Sequence, residues 1–242
     1  MDSAGVVLAA STGAVVMALS YALDHLWASA IPFRSLYLLI RAPGVVLHEC
    51  SHMIGCLLTG ARIRQVTLFS GAGGSVTYSR PVVPIIGDVL ISTAPLFLLP
   101  LVLSLITLAF SRYCGCTFPV FPPVIESMEN LPGLLSSIAG TFSDNLIARF
   151  NAWFLVYLYL TISLVLSFAP STQDIRNAAA GSAVLILAAV MVMWSGIPGA
   201  VAVLDSLVRL LGYGFTLGLV YGFVALAASA PVVAWYAAGK YR

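Results

Sequence analysis

Arg41-Ala42-Pro43-Gly44-Val45-Val46-Leu47-His48-Glu49-Cys50-Ser51-His52-Met53-Ile54-Gly55-Cys56-Leu57-Leu58 reads as a membrane-spanning helix that carries an H-E-x-x-H motif. Residues four apart on a helix share one face, about 6 Å apart along the axis. His48 and His52 can therefore grip one zinc ion, with Glu49 beside the metal-bound water as general base. An ionisable side chain at membrane depth costs roughly 2.5–3.5 kcal/mol on insertion scales. Such a cluster needs a reason, and a metal site supplies one. The pattern also arises by chance in long soluble sequences, but a charge-poor membrane helix is a poor place for such an accident.

The rest of the chain has the composition such a helix requires. Of 242 residues, 60% are hydrophobic and 8% charged, against about 25% charged in soluble domains. The mean hydropathy is +1.02. Too few charges are available to cover a soluble surface, so residues 1–242 read as a single transmembrane domain without a soluble partner domain. The net charge of +2 and the lack of a basic run argue against nucleic acid. Met1-Asp2-Ser3 has no basic n-region, so the first apolar stretch reads as a spanning helix rather than a cleaved signal. Cys50 and Cys56 read as packing residues. Cys114 and Cys116 flank one glycine, where a disulfide would be strained, and read as free thiols.

A bilayer core of about 30 Å needs about 20 apolar residues per helix. Apolar stretches at 5–23, 36–58, 85–110, 150–168, 178–194 and 213–238 predict an all-α polytopic protein with about six transmembrane helices. Residues 24–35 read as a connector holding Asp24 and His25. Residues 63–79, split by Gly71-Ala72-Gly73-Gly74, predict a small β-hairpin at the membrane surface after the second helix. A phosphate loop is disfavoured there, because no lysine follows and no helix opens. Residues 111–148 read as a polar connection, and 199–211 as a short interfacial helix with an Asp205–Arg209 pair. Arg62, Arg64, Arg80, Arg176, Lys240 and Arg242 then share one side. The positive-inside rule places that side, both termini and the hairpin in the cytoplasm, with the chain integral to the cell membrane.

A catalytic zinc usually takes three protein ligands and keeps a fourth position open. His25 lies in a connector, Glu126 and Glu129 in the external loop, and Asp88 at a helix entrance. Asp174 follows Pro170 at a helix break, the kind of irregular backbone tolerated at membrane depth where it lines a cavity. Asp174 is also a good helix cap, and Arg176 is near enough in sequence to pair with it.

The H-E-x-x-H helix, the following hairpin and an Asp after a proline-broken segment resemble the site-2 protease family of intramembrane metalloproteases. The resemblance covers about residues 36–175. It implies one zinc ion per chain held by His48, His52 and Asp174, with Glu49 as catalytic base, in an endopeptidase that cuts its substrates within or beside their transmembrane segments. Where the family commonly has Leu-Asp-Gly, this chain has Gln173-Asp174-Ile175. Ser92-Thr93-Ala94-Pro95 resembles a small-residue-plus-proline feature of the same core. The implied partners are a transmembrane protein substrate and the lipid bilayer. Peptide bonds in a membrane helix are shielded by their own hydrogen bonds, so the substrate must unwind, and the hairpin could hold it extended by strand addition. Ser171, Thr172 and Asn151 are candidates for stabilising the oxyanion. The rival readings are a protease resembling the CAAX-processing type, with Glu126 or Glu129 as third ligand, and a metal-binding membrane protein that is not an enzyme.

Overall fold

Long apolar runs with few breaks give a helical protein with one small sheet. The computed structural model describes residues 3–68, 73–118 and 131–240. In chain order the elements are α1 (Ser3–Ala30), α2 (Arg34–Thr59), β1 (Ile63–Thr67), β2 (Ser75–Tyr78), α3 (Pro84–Tyr113), α4 (Leu131–Phe142), α5 (Ala152–Val165), α6 (Thr172–Ser195), α7 (Pro198–Ala228) and α8 (Ala230–Lys240). Four helices among the described residues, α1, α3, α6 and α7, are long and apolar enough to cross a membrane. Large hydrophobic side chains stand exposed along them, such as Leu105, Leu108, Ile186, Leu187 and Leu210. Exposed apolar area on this scale suits a hydrocarbon solvent rather than water.

β1 and β2 pair antiparallel as the expected hairpin, with Val66 opposite Val76. Its tip, including Gly71 and Ala72, lies outside the described residues, as do Glu126 and Glu129. Gly60 ends α2 in the left-handed conformation, φ 70°, where glycine carries no Cβ penalty.

Several boundaries differ from the sequence reading. Asp24 and His25 belong to α1, not to a connector, and Asp24 accepts a hydrogen bond from Tyr37 Oη at 2.6 Å. The connection after α3 contains α4, which buries Leu134, Ile138 and Thr141 on one face and runs into a π-helical turn at Ser143–Ala148. Residues 198–228 form one helix where an interfacial helix and a separate span were expected. The Asp205–Arg209 pair, 2.7 Å, is an ordinary i,i+4 contact within it. The glycines of α7 let α1 come close: a Cβ at Gly222 would fall 2.6 Å from Leu19 Cδ2. Close approach through small residues is a usual basis of helix packing in lipid.

The fourth expected span is shorter than its apolar run. α5 covers only 14 residues and gives way to turns and irregular backbone before Pro170. The break is held from α1. Ser20 Oγ donates to Val165 C=O at 2.7 Å and accepts from Ala169 N–H at 2.9 Å. It thus bridges two groups that would pair i→i−4 across the break, after the last turn has already tightened to i→i−3 bonds from Ser167 N–H to Leu164 C=O and from Phe168 N–H to Val165 C=O. Ser20 is 1% exposed. Ser20→Ala would leave the half-buried Ala169 N–H without its partner, while Val165 C=O keeps Phe168 N–H at 3.1 Å, and an unsatisfied polar group away from water costs about 1–3 kcal/mol. The expected result is a loss of that order in denaturant unfolding; an unchanged midpoint would mean that the break closes on itself without the hydroxyl.

Prolines release carbonyls at other points. Pro43 lies inside α2 rather than at its first turn. It offers no N–H to Leu39 C=O, which instead accepts from Tyr159 Oη of α5 at 3.1 Å.

Candidate metal centre

α2 lies between α5 and α3, and two of its glycines set how closely it meets each. A Cβ at Gly44 would collide with the Ser163 carbonyl of α5, and Gly44 N–H donates to Ser163 Oγ at 2.9 Å. A Cβ at Gly55 would fall 2.9 Å from Ile91 Cα of α3. His48 and His52 lie between these two crossings, and each ring reaches a backbone carbonyl of the neighbouring element. His48 Nδ1 is 2.6 Å from Ser167 O, and His52 Nδ1 is 2.8 Å from Ile91 O.

Both carbonyls are available because a helical partner is missing. Ile91 C=O would bond the amide of residue 95, but that residue is Pro95 and has no N–H. Ser167 C=O would bond the amide of residue 171 if α5 continued. Instead Ser171 N–H donates to Asp174 Oδ2 at 2.9 Å. A carbonyl oxygen only accepts, so each Nδ1 carries the proton. In neutral imidazole the opposite nitrogen then presents a lone pair.

Those lone pairs converge. His48 Nε2 and His52 Nε2 are 3.1 Å apart. Asp174 Oδ1 is 3.3 Å from His52 Nε2, and Oδ2 is 3.8 Å from His48 Nε2. The three side chains offer ligand atoms that all lie within 4.8 Å of one another. Acceptors held together this way require a cation between them, either protons on the imidazoles or a metal ion. The donor set of two imidazoles and one carboxylate suits a transition-metal dication, and the Nδ1–H···O=C bonds are the usual outer support for such ligands. The group could therefore bind a metal ion. His48, Glu49 and His52 are 8%, 6% and 6% exposed, so bulk water is largely excluded.

Asp174 arrives from the first turn of α6, at its third residue, and the N-cap is Ser171. It completes a capping box with Ser171 and faces the imidazole pair. α6 is held to α3 at Gly181, where a Cβ would meet Ile85 C=O and Val89. Glu49 lies in electrostatic contact with His48, His52 and Asp174. The backbone of Gly74, at the start of β2, sits directly against it: a Cβ there would fall 2.7 Å from Glu49 Oε1 and 2.8 Å from Cδ. The hairpin thus covers the glutamate.

The expected donors His48, His52 and Asp174 are gathered at one place with Glu49. Among the oxyanion candidates, Ser171 is committed to Asp174, and Asn151 caps α5 through Trp153 N–H. Cys50, Cys56, Cys114 and Cys116 are free thiols. The carbonyls of Ile91 and Ser167, the seat of Gly74 and the role of Ser20 were not read from the sequence. Pro95, four residues after Ile91, was the one available signal. Comparison with protein-family models, curated proteins and solved structures finds no match to this chain.

Proposed function

We propose that the chain is an intramembrane zinc endopeptidase similar to the site-2 proteases, hydrolysing peptide bonds within or beside transmembrane segments of other proteins. The observation that carries this reading is the convergence of His48 Nε2, His52 Nε2 and an Asp174 oxygen with Glu49 alongside. A site built only to hold a metal has no use for a buried carboxylate beside the donors. A zinc ion bound there would supply Lewis acidity, acidifying a water and polarising a carbonyl. Glu49 takes the proton from the attacking water and passes it to the leaving amine. The low exposure of the site strengthens every charge interaction within it.

The hairpin provides an entry for substrate. β2 begins at the catalytic glutamate, and a two-stranded sheet leaves an edge open on each strand. A substrate unwound from its helix and paired to that edge brings its backbone to Glu49. Gly74→Ala pushes a methyl group into the carboxylate, the flexible partner in the contact. Cleavage is expected to fall about tenfold or more, as part of the 10²–10⁴-fold worth of a positioned base, with zinc content unchanged. Equal rates would separate the hairpin from the chemistry.

Element lengths support a six-span arrangement. α2, at 26 residues, is about 39 Å long, enough to cross; α5, at 14 residues, is about 21 Å and would cross only together with the irregular stretch to Pro170. With α1, α3, α6 and α7 this makes six crossings, which put both termini on one side, and the Arg and Lys residues gathered there favour the cytoplasm. A fluorescent protein fused after Arg242 is expected to fold and emit, and a periplasmic phosphatase fused there to stay inactive; the reverse pattern overturns this topology.

The activity is tested by co-expressing the chain with a panel of single-span membrane proteins tagged at both ends. Paired fragments, lost with a zinc chelator and regained with zinc, are the expected result. A purified chain that holds zinc and cuts no member of the panel would favour the metal-binding protein without enzymatic function.

A further inference from the structure

We infer that Ser171 is a positioning residue for the metal centre: it fixes the Asp174 carboxylate so that Oδ2 is restrained and Oδ1 is presented to the ion. This rests on the metal-site reading above. Two donors from Ser171 converge on one oxygen. Its backbone N–H reaches Asp174 Oδ2 at 2.9 Å, and its Oγ reaches the same atom at 2.6 Å. Asp174 N–H returns a bond to Ser171 Oγ at 3.2 Å. Oδ1 is the oxygen nearer the imidazoles, 3.3 Å from His52 Nε2. A free aspartate rotates about χ2 and exchanges its oxygens. Here the reciprocal bonds hold the carboxylate plane, and O–H and N–H donation to Oδ2 leaves Oδ1 the better placed ligand atom.

An N-cap role alone would predict something different. Serine and glycine differ little as caps, whereas only a hydroxyl can donate to Oδ2. The experiment measures cobalt(II) and zinc(II) binding to the purified full chain in detergent, by chelator competition and by the visible d–d absorption of the cobalt form. The unaltered chain is compared with Ser171→Gly, Ser171→Thr and Asp174→Ala. Ser171→Gly is expected to bind about 10–100-fold more weakly, the usual scale for losing an outer-shell support, with a changed cobalt spectrum and an unfolding midpoint close to that of the unaltered chain. Ser171→Thr, which keeps the hydroxyl, is expected to restore both affinity and spectrum. Unaltered affinity and spectrum in Ser171→Gly, alongside loss in Asp174→Ala, would overturn the inference and leave Ser171 as a helix cap. Binding by the unaltered chain that Asp174→Ala does not weaken would instead remove Asp174 from the metal site, and with it the reading on which this inference rests.

Discussion

Glu49→Gln is expected to lower cleavage by about 10²–10⁴-fold, the worth of a general acid–base group, while leaving zinc content and folding intact. Glutamine has nearly the volume and shape of glutamate, so the contact with Gly74 is kept. It carries no charge and has no site for a proton at neutral pH, so the proton shuttle is removed and little else. Glu49 is 6% exposed, and desolvating a carboxylate is costly. The neutral variant should therefore be at least as stable as the unaltered chain. The measurement is paired: fragment yield from the tagged panel, and zinc per chain by elemental analysis. Full cleavage with glutamine at this position would end the case for Glu49 as base. A variant that also loses zinc would make Glu49 part of the metal shell.

Much of the fold was legible because its signals are local. The H-E-x-x-H helix spans Arg34–Thr59, close to the expected 36–58, because its apolar run ends at a glycine that can adopt φ above zero. The hairpin could be read from two short β-branched runs split by glycines. What could not be read depends on distant partners. The break after α5 is held by Ser20, 149 residues before Ala169 in sequence, which takes the Ala169 amide. α7 continues through the expected boundary at 211–213, where Gly214 packs against Phe97 of α3. α4 was missed for a different reason. Its buried positions Leu134, Ile138 and Thr141 have helical spacing, but they sit in a stretch whose prolines and serines suggested loop.

The same division holds within the site. His48, Glu49 and His52 are fixed by spacing on one helix and need no fold to be recognised. Asp174 was legible as a carboxylate at a proline break. Its pairing with Ser171 follows from the capping box, which fits a serine three residues before an acid. The acceptors of the two histidine rings are backbone atoms, and no side-chain identity announces them. Only the missing amide of Pro95 could have pointed to Ile91. The approach of α3 and α5 that brings those carbonyls into reach depends on Gly55 and Gly44, which in sequence are two small residues among many.

Asp174→Ala is expected to weaken zinc binding by more than the roughly 10–100-fold that losing an outer-shell support costs, and to abolish cleavage with it. Alanine leaves His48 and His52 alone around the ion, one donor short of the usual catalytic set. Ser171 keeps its hydroxyl as the cap of α6, so the loss should be one of metal rather than of fold. Asp174→Asn refines the test. It preserves shape and can still accept from Ser171 through its carbonyl oxygen, yet lacks the negative charge, and it should bind between the unaltered chain and alanine. The readouts are zinc affinity by chelator competition and fragment yield at saturating zinc. Retention of tight binding by Asp174→Ala would move the third ligand elsewhere. The carboxylates to examine next would then be Glu126 and Glu129, each as its glutamine variant, because a downstream glutamate is what the rival protease reading requires. Loss of zinc in Asp174→Ala, with no loss in either glutamine variant, would remove that rival.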